Sequence, residues 1–183
     1  MIKVIGKRRV AAPAEINPRC SLEAMYHQYH KNVYNYIAFR INNHHDAEEL
    51  ASEVFVKAIG GWARYNHALP LEGWLIGIAK NVVTDYLRKI MKRQIFPLDN
   101  IVALMSTEKQ PEEVVVLSEA SKNLMEAMAK LRDKERQILS MKFATELKHS
   151  EIAEILGISE SHVGVTAHRA MTKLRKLMED DAI

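Results

Sequence analysis

The chain has 183 residues, enough for one domain or two small ones, and its 48% hydrophobic and 27% charged content is that of a globular protein, not a disordered or fibrous one. Seven glycines and five prolines leave little material for many turns, which favours long helices over an all-β fold. A net charge of +3 permits a nucleic-acid partner without demanding one, the single cysteine, Cys20, excludes an internal disulfide or a Cys-rich zinc site, and no apolar run approaches the ~20 residues of a membrane span.

Residues 1–100 carry 14 Lys/Arg against 9 Asp/Glu and residues 101–183 carry 12 against 14, so basic surface concentrates in the first half. Residues 1–20 are basic but lack the apolar core of a secretory signal, and read as a mobile tail of a cytoplasmic protein. From Ser21, the residues Leu22, Met25, Tyr26, Tyr29, Val33, Tyr36 and Ile37 recur at three- and four-residue steps, the stripe of an amphipathic helix that residues 42–45 interrupt. Asp46 opens the next helix, with Glu49 at capping-box spacing. Ala47, Leu50, Ala51, Val54, Phe55, Ala58, Ile59 and Trp62 form its inner face. Glu48, Glu49, Ser52, Glu53 and Lys57 form an acidic outer face, either simply solvated or a docking strip for a basic partner.

Residues 60–69 read as a loop or frayed helix end with partly exposed aromatics. Pro70 suits the start of a helix whose inner face is Leu71, Trp74, Leu75, Ile78, Ala79, Val82, Tyr86 and Leu87. Its outer side aligns Gly77, Lys80, Asn81, Thr84 and Arg88, with Lys89, Lys92 and Arg93 beyond, a stripe about 25 Å long at 1.5 Å per residue. Cations there can neutralise phosphates, Asn and Thr can bond bases, and Trp62 or Tyr65 can stack an unpaired base. The bland alternative is a solvated face with Trp62 and Trp74 in the core. Residues 94–112 lose periodicity, contain two prolines and read as an acidic linker between two helical domains.

A second bundle begins near Pro111, with Leu117, Ala120, Leu124, Met128 and Leu131 as its first helical stripe. Asp133 then caps a helix with Ile138, Leu139, Lys142 and Phe143 on one side. Between Ser150 and Leu177 the pattern is a helix-turn-helix: Ile152, Ala153 and Leu156 on one face, Gly157 at the turn, Ile158 at the corner, Ser159 as a cap and Val163 packing back on Ala153. A plain helical hairpin can share this periodicity, but a DNA-reading motif needs the glycine, the cap and the small residue together. The second helix continues to about Met178.

Catalytic chemistry is not encoded in any recognisable form: there is no phosphate-binding glycine loop and no nucleophile elbow. His27 and His30, with His44, His45 and Asp46 nearby, are the metal candidates by spacing, against the reading of surface histidines beside a polar turn. No catalytic residue, metal or cofactor is assigned.

The stretches LEAMYHQYHKNVYNYI (22–37), DAEELASEVFVKA (46–58), GWLIGIAKNVVTDYLRK (73–89), PEE (111–113), LRDKERQILSMKF (131–143) and SEIAEILGISESHV (150–163) together resemble a bacterial RNA polymerase sigma factor of the sigma-70 superfamily, extracytoplasmic-function group. The resemblance covers about residues 21–178. It implies an all-α protein with a tail (1–20), region 2 (21–93), a linker (94–112), region 4 (113–178) and a short C-terminal tail (179–183). It implies docking of core polymerase, at its clamp coiled coil and flap, by Asp46, Glu48, Glu49, Glu53, Val56 and Lys57. It implies binding and melting of the minus-10 element by Trp62, Arg64, Tyr65, Asn66, Lys80, Asn81, Thr84 and Arg88. Asn81 falls in the family's I-A-[RK]-N stretch, and the loop about 61–68 would take a flipped base, its unstacking offset by new contacts. The minus-35 element would be met by Ser159, Ser161, His162, Thr166, His168, Arg169 and Lys173. The factor would be released after initiation, act as a monomer when free, insert in no membrane and answer to a separate anti-sigma factor, since the family's cysteine-containing sensor extensions are absent.

One departure matters. Where the family commonly carries a Lys/Arg-containing run after the residue matching Val163, this chain has Gly164-Val165-Thr166. Either the minus-35 element is met mainly through phosphates and methyl groups, or the helix is adapted to an unusual sequence. The competing reading of the whole chain is a stand-alone helix-turn-helix regulator with residues 21–93 as an interaction module.

Overall fold

In the computed structural model of the chain, residues 18–41, 43–65, 68–95 and 119–180 are described. Of the expected tail (1–20) only residues 18–20 are described, and of the expected linker (94–112) only 94 and 95, in both cases as helix; Asn66, residues 113–118 and 181–183 lie outside the described residues, as do the side chains of Cys20, Leu22, Arg93 and Ala120. All described regular structure is helical: α1 (Pro18–Ile41), α2 (His44–Gly61), α3 (Leu71–Ile95), α4 (Glu119–Ala129), α5 (Asp133–Ala144), α6 (His149–Leu156) and α7 (Glu160–Asp180), with a 3-10 turn over Trp62–Arg64.

The helix starts depart from expectation by a few residues, each for a local reason. The second helix begins at His44 rather than Asp46, because Asn43 takes extended backbone angles and its side chain accepts from the Asp46 backbone N–H at 3.2 Å. Asp46 is therefore a first-turn residue, where its charge suits the helix dipole. In α5 the cap is Arg132, whose backbone N–H donates to Glu135 Oε2 at 3.0 Å, and Asp133 is the first helical residue instead of the cap. Burial lifts the Glu135 carboxyl, but the bonds from Arg132 and Lys173 outweigh it and hold the group below its ordinary range.

The first three helices pack around Val33, Tyr36, Ile37, Ala47, Ala51, Val54, Phe55, Ala58, Leu75, Ile76, Ala79 and Val83, all under 5% exposed. Ile59 and Trp62, expected on the inner face of α2, are instead 50% and 37% exposed. At about 100° per residue the buried arc of α2, from Leu50 through Ala47, Val54, Ala58 and Ala51 to Phe55, spans about 140° and Ile59 falls beyond its edge, while Trp62 lies past the helix end in the 3-10 turn. On α5 Lys142 and Phe143, expected on the inner side, are likewise exposed, and the buried residues are Ile138, Leu139, Ser140, Met141 and Ala144.

The helix-turn-helix is α6 and α7. Gly157 adopts φ +66°, the left-handed angle that closes α6, and the Ile158 N–H donates to the Ala153 carbonyl. Ser159 Oγ accepts from the His162 N–H at 3.3 Å, capping α7 as its type predicts. Val163 is fully buried and Ala153 nearly so.

The two helical groups pack on one another. One continuous apolar core joins residues of α1–α3 to Ile138, Met141, Ala144, Leu147, Ile152, Ile155, Val163 and Ala167. A smaller core of Ala127, Met128, Leu131, Leu139, Ala170 and Leu174 lies beneath α4 and α7. Across the joint, Arg40 of α1, only 3% exposed, donates to Asp133 Oδ1 at 2.8 Å and to the Asp133 carbonyl at 3.3 Å. Leu147 lies against Gly73, where an added Cβ would sit 3.4 Å from it.

Two stability predictions follow from these local structures. Gly157→Ala should destabilise by about 1–2 kcal/mol, the cost of a side chain at positive φ, whereas Gly164→Ala, whose Cβ would meet only His149 Nδ1 at 3.7 Å, should stabilise α7 by about 1 kcal/mol; urea titrations of the two variants should move in opposite directions. Asp133→Ala should cost about 2 kcal/mol. That is less than the loss of a fully buried partner, because Asp133 is 66% exposed, and Arg40→Met in the same background should recover part of it.

Candidate functional site

Two exposed helix faces and a recognition helix carry the candidate residues. On α2 the buried side faces α1 and α3 and turns Glu48, Glu49, Ser52, Glu53, Val56 and Lys57 to solvent. Val56 is the most exposed large apolar residue among the described residues, at 67%. The strip thus runs from carboxylates at the N-terminal end to Val56, Ile59 and Gly60 at the other, acidic then apolar. Lys57 pairs with Glu53 at 2.9 Å, and Glu48 lies 3.5 Å from His30 Nε2. Asp46 is spoken for: the Tyr86 hydroxyl of α3 and the Asn43 amide both donate to its Oδ2. Burial and that carboxylate push the Tyr86 phenol well above its ordinary range, so it stays protonated and donating.

The α3 stripe is present but its members are not equally free. Asn81 and Arg88 are exposed, as are Lys89 and Lys92; Lys80 and Thr84 are half-buried. Lys80 Nζ donates to the Ile155 carbonyl in the last turn of α6 at 3.0 Å, reaching the helix-turn-helix. Thr84 Oγ1 donates to the Lys80 carbonyl at 2.7 Å, and Arg88 pairs with Asp85 at 3.4 Å. A cleft of about 550 Å³ lies along this side, lined by Lys80, Asn81, Thr84, Asp85, Arg88, Gln137 and Leu156. A second, of about 500 Å³, is lined by Lys57, Gly60, Gly61, Arg64, Trp74, Ile78 and Asn81. Asn81 borders both, at the ridge between a polar trough and an aromatic one.

The aromatic trough rests on a cluster of three rings. Tyr65 lies 4.9 Å from Trp74, and Trp62 packs edge-on against Trp74 at 5.9 Å. The Tyr65 hydroxyl donates to the Leu69 carbonyl at 2.9 Å, which closes the turn. Trp62 is therefore neither core nor free: one face is held by the cluster and the rest is exposed. Arg64 is exposed beside it.

On α7, Ser161, His162, His168 and Arg169 are exposed and Thr166 is half-buried. Ser159 serves as the cap, with its Oγ also 3.2 Å from Ser161 Oγ. Lys173 is held by Glu135 of α5 at 3.4 Å, so it braces the bundle as much as it faces outward. Val165 is 50% exposed, and no reading based on hydrogen-bonding residue types points to it. Ile59, at the apolar end of the α2 strip, was hidden by its periodic spacing. Among the described residues no three His, Cys, Asp or Glu side chains come together as a metal site would need. His27 and His30 instead lie near Glu23 and in a stack with Tyr26, Tyr34 and Phe55. No described helix is long and apolar enough to cross a membrane.

Two family models match the chain: Sigma-70 region 2 over residues 25–93 and Sigma-70 region 4 over residues 121–174. RNA polymerase sigma factor YlaC of Bacillus subtilis is 34% identical over 161 residues, covering 87% of this chain and 93% of that one. ECF RNA polymerase sigma factor SigW of the same organism is 31% identical over 162 residues, covering 83% and 86%. Among solved structures, the fold is shared with sigma factor RpoE in complex with the anti-sigma factor NepR from Bartonella quintana. That match has a TM-score of 0.69 at 15% identity and covers 87% of this chain and 97% of that one. CnrH in complex with the cytosolic domain of CnrY matches with a TM-score of 0.61 at 18% identity, covering 89% and 90%.

Proposed function

The chain belongs to the sigma-70 family of RNA polymerase sigma factors, in its extracytoplasmic-function group, and we propose that its exposed faces divide the work of bringing core polymerase to a promoter. It acts as a non-enzymatic initiation factor in the cytoplasm, where its template is, and is monomeric when free. The single observation that carries this reading is the presence of both sigma regions in one chain, in order, on helices whose free faces differ in chemistry: acidic on α2, basic and amide-bearing on α3, polar on α7.

Residues 21–93 form the unit that docks polymerase and opens DNA. Glu48, Glu49 and Glu53 supply charge that steers a basic partner helix, and Val56, Ile59 and Gly60 supply the apolar contact that holds it; Lys57 tempers the charge and Asp46 fixes the N-terminal end of the strip. Steering by charge with retention by apolar area is the usual division of labour at a protein interface. The α3 stripe then takes the minus-10 strand: Arg88 on phosphate, Thr84 and Asn81 on base or sugar atoms, and the aromatic trough beside Trp62, Arg64 and Tyr65 on an unpaired base, with Asn66, next in sequence, as a further contact. Since Lys80 already bonds the Ile155 carbonyl, its contact with a phosphate exchanges one acceptor for another. Residues 113–178 present α7 to the minus-35 major groove, with Ser161, His162, Thr166, His168 and Arg169 forward and Ser159 and Lys173 at the edges. The linker 94–112 joins the two through the polymerase. One structural neighbour is the sigma factor RpoE in complex with the anti-sigma factor NepR, which supports control of this chain by an anti-sigma factor; its release follows once initiation is complete.

Reconstitution tests the reading: purified chain added to core polymerase should give run-off transcription from a promoter identified by mapping transcript starts after overexpression. Glu48→Lys with Glu53→Lys should weaken binding to core by on the order of tenfold or more through like-charge contact, with minus-35 duplex binding unchanged. A stand-alone regulator would bind its DNA without core and be indifferent to these reversals. In the assembled complex, Arg88→Ala should reduce the salt dependence of promoter binding by about one unit of slope with no change in sequence preference. Asn81→Ala should lower open-complex formation and leave that slope intact.

A further inference from the structure

On α7 the buried residues Val163, Ala167, Ala170 and Leu174 form one stripe against the bundle. On a helix of 3.6 residues per turn, Val165 projects roughly 180° from the centre of that stripe, at the crest of the exposed face. Its neighbours at three and four residues are Ser161, His162, His168 and Arg169, all exposed. The crest is thus one apolar side chain, 50% exposed, inside a ring of four hydrogen-bonding ones. A lone surface valine is ordinary, but this one stands where a groove-entering helix goes deepest. Packing does not call for it, and its modest helix propensity does not offset that of Gly164 beside it, which is poorer still.

We propose that Val165 is a specificity-determining residue that contacts the C5 methyl group of a thymine in the minus-35 element. The inference rests on the reading of α7 as the helix that enters that major groove. In the major groove thymine alone among the four bases presents a methyl, and an apolar side chain is the group that recognises it. The isopropyl group of Val165 carries no donor or acceptor. Opposite a cytosine amino group or a guanine carbonyl it would desolvate a polar edge without returning a hydrogen bond; opposite thymine it removes two apolar surfaces from water. Ser161, His162, His168 and Arg169 around it then bond flanking base edges and phosphates and fix the register. The contact makes a helix short of cations at its tip selective in spite of that shortage.

The test uses holoenzyme made from the full chain and core polymerase on its mapped promoter, with each minus-35 thymine replaced singly by uracil, which deletes only the methyl. For the native chain one replacement should weaken promoter binding about fourfold, the effect of one methyl group taken from water. Val165→Ala should show a similar loss on the thymine promoter and no further loss on the uracil one, with an unchanged salt slope. Alanine at an exposed helical position keeps the fold, which a thermal melt checks. The proposal is overturned if every uracil replacement is neutral for the native chain, or if Val165→Ala retains the full thymine-to-uracil ratio. If replacing the whole minus-35 hexamer leaves binding of the native holoenzyme unchanged, the reading of α7 itself fails, and the methyl contact with it.

Discussion

A guanidinium almost out of reach of water holds the molecule together at its joint. Arg40 ends α1 and Asp133 begins α5, and the bond between them ties the two helical groups. Burying a cation is costly unless its partners are well placed. Here the carboxylate sits at a helix N-terminus, where it is favoured by the dipole, and the same residue offers its carbonyl to the other arm of the fork. Lysine has one point of charge and could not span both acceptors. The surroundings raise the stakes. Burial lowers the affinity of Arg136 for its proton, and Arg40 nearby lowers it further; burial also pushes the Tyr36 phenol up to about 12. Two cations and a neutral phenol around one carboxylate make Asp133 the residue on which the electrostatics of the joint turn.

Around that pair the packing of α1 on α5 and α3 on α6 continues as one core, which is why several candidate residues have two jobs. Lys80 belongs to the α3 stripe and also satisfies a carbonyl that α6 would otherwise leave open at its C-terminal end. Asp46 closes the acidic strip and also anchors α2 to α3 through Tyr86. Lys173 lies on the recognition helix and also meets Glu135, whose other bond caps α5. Among the described residues, Glu49, Val56, Asn81, His162, Val165 and Arg169 are examples of exposed candidates with no bond to another element. Changes at the tied positions will mix stability with binding, and changes at the free ones will report binding alone.

Much of this was legible in the sequence wherever the cause is local. Gly157, Ser159 and Val163 could be placed because turn angle, cap and helical period act within one or two turns. The acidic strip and the α3 stripe followed from the same period. What the sequence did not disclose falls into two kinds. Competition between adjacent capping residues decided for Asn43 over Asp46 and for Arg132 over Asp133, a matter of tenths of a kcal/mol to about one that residue type alone does not settle. Contacts across tens of residues, such as Arg40 with Asp133 and Lys80 with Ile155, leave no periodic trace at all. Ile59 and Phe143 show the remaining difficulty: apolar residues one step off a buried face look like core in a sequence and are surface in the fold.

The mild net charge of +3 hides a sharper arrangement. Carboxylates gather on α2 and cations on the far half of α3, two helices in direct contact, so neighbouring faces of one small body carry opposite sign. Near DNA, the α2 face is repelled and the α3 face attracted; near a basic protein helix the preferences reverse. Opposed faces of modest strength therefore orient the protein between two partners, where a uniformly basic surface would stick to DNA in any pose. On the proposed division of faces the cost would be a weaker intrinsic affinity for DNA, which a chain that acts within a larger complex can bear. It also explains why the recognition helix can spare cations at its tip. Once orientation comes from the body as a whole, the tip is left to discriminate, and discrimination asks for shape and methyl contact more than for charge.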